Sequence, residues 1–383
     1  MARTLKSDRL LFLLTLLLVG ISVVMVYSAS AVTAMSRYGT PYFFLQRQLL
    51  WAIGGFAVMF VVMRVDYRVY RRATVIWGLF AGTLALLVSV FFFPEINGTH
   101  RWLSFGFASL QPSEFAKLSV VLFAAALLDR RMARVNELRE VLLPIMLFTL
   151  VPVFLILQQP DYGTSAVIVA VVGGMVFLAG LHYRYLAAVM LAIAPIAIGL
   201  VYSASYRLQR LLAFLDPEAD PLGAGYQANQ SLIAIGSGGL FGRGLMDGMQ
   251  KLYYLPEAHT DFIYAVIGEE LGLVGTTLLL LCFCCIAWRG FRIGLHAPDR
   301  FGSLLALGIT MIVVLQALLN MSVVTALLPT KGIPLPFVSN GGSSLLINMI
   351  GMGVLLNISQ HGSALATSAA PRKAGWMLES QEA

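Results

Sequence analysis

Ten stretches of this sequence are long and apolar enough to be membrane helices, and no other feature constrains the fold as strongly. They fall at roughly 10–33, 43–63, 73–92, 113–128, 141–158, 164–181, 185–203, 262–288, 302–328 and 341–360. The hydrocarbon core of a bilayer takes about 20 apolar residues of helix. Backbone polar groups inside it must be satisfied internally, which favours helices as spanning elements. The composition agrees: 58% of residues are hydrophobic, 12% are charged and the mean hydropathy is +0.82, whereas a soluble domain carries about a quarter charged residues. The expected fold is an all-α polytopic membrane protein with about ten transmembrane helices. Leu10 to Val32 leads into no small-residue cleavage site, so it reads as the first membrane helix and not as a cleavable signal peptide.

An even number of helices puts both termini on one side. If that side is the cytoplasm, the inner segments hold Arg3, Lys6, Arg9, Arg64, Arg68, Arg71, Arg72, Arg130, Arg131, Arg134, Arg139, Arg184, Arg289, Arg292, Arg300, Arg372 and Lys373, 17 of the 26 basic residues. The outer segments hold Arg37, Arg47, Arg101, Arg207, Arg210, Arg243, Lys251 and Lys331. This asymmetry places both termini in the cytoplasm. The net charge of +7 is then an orientation signal. No basic stripe interleaved with aromatics supports a nucleic-acid partner.

Residues 1–362 read as one integral membrane domain and 363–383 as a flexible cytoplasmic tail. Two outer segments stand out. Pro94 to Pro112 is too polar to span and too apolar for a plain loop, so it is expected to lie at the interface or dip back in; Asn97-Gly98-Thr99 within it matches a glycosylation sequon. The loop 204–260, between helices 7 and 8, is the longest. Leu208, Leu211, Leu212 and Leu215 recur there at helical spacing beside Arg207 and Arg210, which predicts a short amphipathic helix in the headgroup layer. A glycine-rich run, Gly236 to Leu245, follows. Cys282, Cys284 and Cys285 share one apolar helix, with neither disulfide nor zinc spacing.

Chemistry is sought where ionisable groups sit against membrane helices, because such groups are costly unless paired, hydrated or used. The stretch Lys251 to Glu270 holds Lys251, Glu257, His259, Asp261, Glu269 and Glu270. Asp261, just before a membrane helix, is the leading candidate; as a helix cap its pKa would fall, whereas as a general base it should rise. Glu269 lies roughly 12 Å further along a continuous helix and Glu270 on its opposite face. This helix alone therefore cannot supply two carboxylates about 5 Å apart for a double displacement, and a single base with inversion fits sugar chemistry better. Glu114 and Lys117 are three apart and can pair on one helical face. Arg101 beside Trp102 reads as an interfacial anchor or an outer cation. Lys331, with Gly341-Gly342-Ser343-Ser344 at a helix start, could hold an anion such as a diphosphate, although a turn into a helix is the commoner reason for such a run.

The segments QPSEFAKL, QQPDYGTS, YLPEAHTDFIYAVIGEELG and LPTKGIPLPFVSNGGSS, in this order across ten helices, resemble the FtsW/RodA/SpoVE (SEDS) family, and FtsW most closely. The resemblance spans roughly residues 10 to 360; Asn340 departs from it, standing where the family usually has tyrosine. It implies a peptidoglycan glycosyltransferase that joins lipid II into β-1,4-linked glycan at the outer face of the bacterial cytoplasmic membrane. The family's essential aspartate corresponds to Asp261, acting as base on the acceptor hydroxyl. Arg101, Lys117 and Lys331 are then candidates for stabilising the leaving diphosphate, with Glu114 orienting Lys117, His259 as support, and Mg2+ or Mn2+ as an optional cofactor. The resemblance also implies a class B penicillin-binding protein transpeptidase as partner within a division or elongation complex. A lipid II flippase and a non-catalytic scaffold for the transpeptidase are the competing readings.

Overall fold

The computed structural model describes residues 7–369 of the 383 in the chain, apart from 96–97, 106–108, 203–204, 217–219, 222 and 224. Its helices are α1 (Arg9–Tyr38), α2 (Phe43–Arg64), α3 (Ala73–Ser89), α4 (Pro112–Arg131), α5 (Leu143–Gln158), α6 (Tyr162–Leu178), α7 (Tyr183–Tyr202), α8 (Ser205–Leu215), α9 (Tyr226–Gly238), α10 (Ile263–Leu295), α11 (Arg300–Val324) and α12 (Gly342–Ala369). Each of the ten expected apolar segments is helical. Among the described residues, seven helices are long and apolar enough to cross a membrane; α6 and the Tyr183–Ala192 stretch of α7 are apolar but shorter. The chain is a polytopic α-helical membrane protein. Large apolar side chains such as Leu13, Leu50, Ile53, Val61, Phe92, Leu147 and Phe154 lie exposed on its outer helices, as a surface solvated by lipid requires.

Helix starts follow local rules. Asp8, Asp161 and Asp299 accept from the backbone N–H of Leu11, Thr164 and Gly302 at 3.0, 3.1 and 2.7 Å, capping α1, α6 and α11. Pro112 opens α4, where a missing N–H does no harm. Helices α4, α11 and α12 form the centre, with α4 buried along most of its length.

The outer segments differ in detail from the sequence expectation. Within 94–112 a two-stranded antiparallel ribbon forms, β1 (Leu103–Ser104) against β2 (Ser109–Leu110). The amphipathic helix expected in the long loop is α8, and a second helix there, α9, packs on α10. Asn97 of the sequon and residues 370–383 lie outside the described residues.

Helix α10 is not continuous. Gly272 adopts φ 67°, ψ −163° and divides it into two parts. Such a break strands backbone groups, which the glycine-rich run satisfies. The N–H groups of Arg243 and Gly244 donate to the carbonyls of Glu269 and Glu270 at 3.0 and 3.1 Å. Those of Leu273 and Val274 donate to Gly239 and Leu240 at 2.9 and 3.1 Å. Backbone lies directly on backbone there. A Cβ at Gly242, itself at φ +80°, would sit 2.1 Å from the Glu270 carbonyl oxygen, which explains the glycines.

Candidate active site

Starts of three helices meet at one end of the bundle: Gln111 before α4, Asp161 before α6, and Gly341 and Ser344 around the start of α12. With the loops 98–102, 257–262 and 331–334 they enclose a cavity of about 620 Å³. Arg210 of α8 and Gln227 of α9 complete the wall. Helix N-termini carry partial positive charge. Arg101, Arg210 and Lys331 add full charges, and Glu257, Asp261 and Asp161 supply the acids.

Asp261 lines this cavity beside Gly332. It does not cap α10, whose N-cap is Phe262 without a side-chain hydrogen bond. Its carboxyl is pushed up from the ordinary value to about 7. Burial in the protein is the largest cause and the Glu257 carboxylate adds to it; Arg101 opposes both, and Asp161 contributes a smaller rise. A carboxyl tuned towards neutrality is half ionised near pH 7 and suits proton abstraction.

Asp161 is buried and thoroughly fixed. It accepts from Gln111 Nε2 at 3.1 Å, Ser113 Oγ at 3.2 Å and Thr164 N at 3.1 Å. Arg101 is preorganised by the carbonyls before it: Nε donates to Gln159 O at 2.9 Å and Nη2 to Pro160 O at 2.6 Å. It therefore holds the turn leading into Asp161 as well as lining the cavity.

The candidates from sequence separate into two groups. Arg101, Asp261 and Lys331 come together on the cavity wall. Glu114, Lys117 and His259 do not line it. Glu114 and Lys117 pair at 2.9 Å deep in α4, and Lys117 Nζ also donates to Gln316 Oε1 at 2.5 Å. Lys117 is thus an internal anchor and does not face the cavity as a diphosphate cation would. His259 packs its ring 4.6 Å from that of Phe44 and accepts through its carbonyl from Asn340 N at 3.1 Å. Burial lowers its imidazole pKa, which keeps the ring neutral.

Glu269 and Glu270 are structural. Glu269 accepts from the N–H groups of Met249 and Gln250 at 2.7 and 3.1 Å. Glu270 accepts from Ser28 Oγ at 2.6 Å, Met246 N at 3.1 Å and Lys251 Nζ at 2.7 Å. Asp161, Glu257, Arg210 and Gln111 also line the cavity, and the sequence alone does not mark them as site residues. The one signal for Asp161 was its place in QQPDYGTS, where it also reads as an ordinary helix cap. Among the described residues no three His, Cys, Asp or Glu side chains group as a metal site.

Fold and site together define a multi-pass α-helical membrane protein with a charged cavity at one end of its bundle. Within that class, the chain belongs to the FtsW/RodA/SpoVE family: the family model, described as a cell cycle protein, matches residues 8–364. It is 43% identical over 360 residues to stage V sporulation protein E of Bacillus subtilis (strain 168), covering 93% of this chain and 98% of that protein. It is also 43% identical over 363 residues to the probable peptidoglycan glycosyltransferase FtsW of Geobacter sp. (strain M18), covering 94% and 98%. Among solved structures, it superposes with a TM-score of 0.77 and 31% identity on a chain of a peptidoglycan synthase complex that coordinates polymerization and crosslinking, covering 94% of this chain and 99% of the other. The rod shape determining protein RodA of Thermus thermophilus matches with a TM-score of 0.68 and 28% identity, covering 93% and 97%.

Proposed function

We propose that this protein is a peptidoglycan glycosyltransferase that joins lipid II units into glycan with inversion, using Asp261 as general base. The observation that carries the reading is Asp261 itself: a carboxyl with a pKa of about 7 in a cavity also lined by Arg101, Arg210 and Lys331. The names of the relatives support the class of reaction. In the proposed step an Asp261 oxygen takes the proton of the acceptor GlcNAc 4-hydroxyl. The acceptor's 4-oxygen, freed of its proton, attacks the anomeric carbon of the donor MurNAc from the face opposite the diphosphate. The carbon–oxygen bond to the diphosphate breaks, and undecaprenyl diphosphate leaves with the electron pair. Arg101, Arg210, Lys331 and the helix N-termini stabilise the developing negative charge. The cavity opens outward from the cytoplasmic membrane, as the placement of basic residues implies, and a class B penicillin-binding protein receives the strand for crosslinking. A role in division is inferred from the closeness of the sequence to proteins named FtsW.

Polymerisation of labelled lipid II by the purified protein with its cognate transpeptidase tests this. Asp261→Ala should lower the rate at least about 100-fold while partner binding is retained. Lipid movement across vesicles without polymer would favour the flippase reading. Polymer at the wild-type rate from the variant would remove Asp261 as the base.

A further inference from the structure

Asp261 and Lys331 lie on segments 70 residues apart in sequence, yet they line one cavity wall. A single side chain joins these segments. Asn320 of α11 is 1% exposed, and its Nδ2 donates to the backbone carbonyls of both Asp261, at 2.8 Å, and Ile333, at 2.7 Å. Two carbonyl acceptors at these distances require the amide nitrogen and not the oxygen, so the orientation is set chemically. One turn earlier on the same face of α11, the buried Gln316 repeats the pattern: Nε2 donates to Pro334 O at 2.9 Å, while Oε1 accepts from the buried Lys117. Between Lys331 and Ile333, Gly332 lies against the base. A Cβ there would fall 2.7 Å from Asp261 Oδ2.

We propose that Asn320 is a positioning residue for Asp261, tying its backbone to the Lys331 loop so that base and cation move as one unit. Gln316, braced by the Lys117–Glu114 pair, holds the next carbonyl of that loop and prevents it from peeling away. Asn320 touches no substrate; it acts through where it holds Asp261 and Gly332. Without it, the carbonyls of Asp261 and Ile333 lose this donor and the spacing between base and loop is no longer fixed. This role rests on the polymerase reading above, but the tie between the two segments can be measured without it.

The test compares wild type, Asn320→Ala, Gly332→Ala and Asp261→Ala, each full-length and with its transpeptidase. The first readout is lipid II polymerisation across a pH range spanning 7. Asn320→Ala should lower kcat by about 10- to 100-fold with KM within about 3-fold of wild type. The acid limb of its profile should move to lower pH, because a loosened site admits water to the base. Gly332→Ala, which disturbs the same spacing from the other side, should also lower kcat if Asn320→Ala folds poorly, but with its acid limb at higher pH, since the added methyl presses on the Asp261 carboxylate. The second readout is hydrogen exchange of 257–262 and 330–335, which should rise together in Asn320→Ala and stay unchanged in Asp261→Ala. A wild-type rate and pH profile in both Asn320→Ala and Gly332→Ala would overturn the positioning role, as would unchanged exchange in both segments. Absence of polymer from wild type would instead defeat the functional reading, leaving the exchange data to decide the tie.

Discussion

Asp261 concentrates the consequences at the scale of single residues. With its carboxyl near 7, polymerisation should rise with pH through an acid limb centred about there, since only the ionised form accepts a proton. Glu257 contributes to the upward shift and Arg101 opposes it. Glu257→Gln should therefore move the limb to lower pH and Arg101→Gln to higher pH, as pH–rate profiles of the two variants would show. Stability carries the opposite sign. The folded protein holds this proton more tightly than an unfolded chain with an ordinary carboxyl, so ionisation between about pH 4 and 7 disfavours folding. Asp261→Asn should raise the melting temperature above pH 7 and match wild type near pH 4. The sequence already pointed to Asp261 and Lys331, because isolated charges beside apolar helices are conspicuous. It could not separate Lys117 from the cavity cations: a buried pair and a substrate contact look identical until Gln316, 199 residues away, is seen against the lysine. Asp161 was hidden for a similar reason, since its capping role explains it fully at the local level.

At the scale of elements, the broken helix α10 is held together by the loop that crosses it. The Gly239–Lys251 segment supplies the hydrogen bonds missing at Gly272, and Lys251 closes it with an ion pair to Glu270 in which both side chains are 5% exposed or less. Removing one partner of a buried pair costs about 3–5 kcal/mol, because the other charge is left unpaired. Lys251→Met should thus be strongly destabilising in thermal unfolding, and Lys251→Met with Glu270→Leu much less so. Gly242→Ala has no such rescue, since its Cβ would meet backbone; it should lower folded yield and expose the loop to protease. Periodicity revealed α8, and the glycine run marked the loop as unusual. The break itself was not legible, because Gly272 sits in an apolar run that reads as uninterrupted helix. What identifies it is the Gly239–Gly244 segment of the same polypeptide lying across it.

For the whole molecule, apolar segment length carried nearly all of the architecture, since backbone satisfaction in lipid leaves few alternatives. How the helix starts converge on a single cavity was beyond it, because that depends on packing between helices far apart in sequence. One contact described only as a cap has a further reach. Asp8, which opens α1, also donates its N–H to Ser359 Oγ at 3.1 Å, and its carboxylate pairs with Arg289. Ser359 stands 15 residues along α12 from Ser344 at the cavity, roughly 22 Å at helical rise. First and last helices therefore meet at the end of the bundle remote from the chemistry, and the stretch from Asp8 to Ser359 is nearly a closed ring. Joining residues 8 and 360 through a short linker and reopening the chain in the Ala297–Asp299 turn should still give a folded, active protein, with circularly permuted genes scored by lipid II polymerisation. In such a ring the order of helices along the gene is a matter of history, while their neighbours in space are what the fold requires.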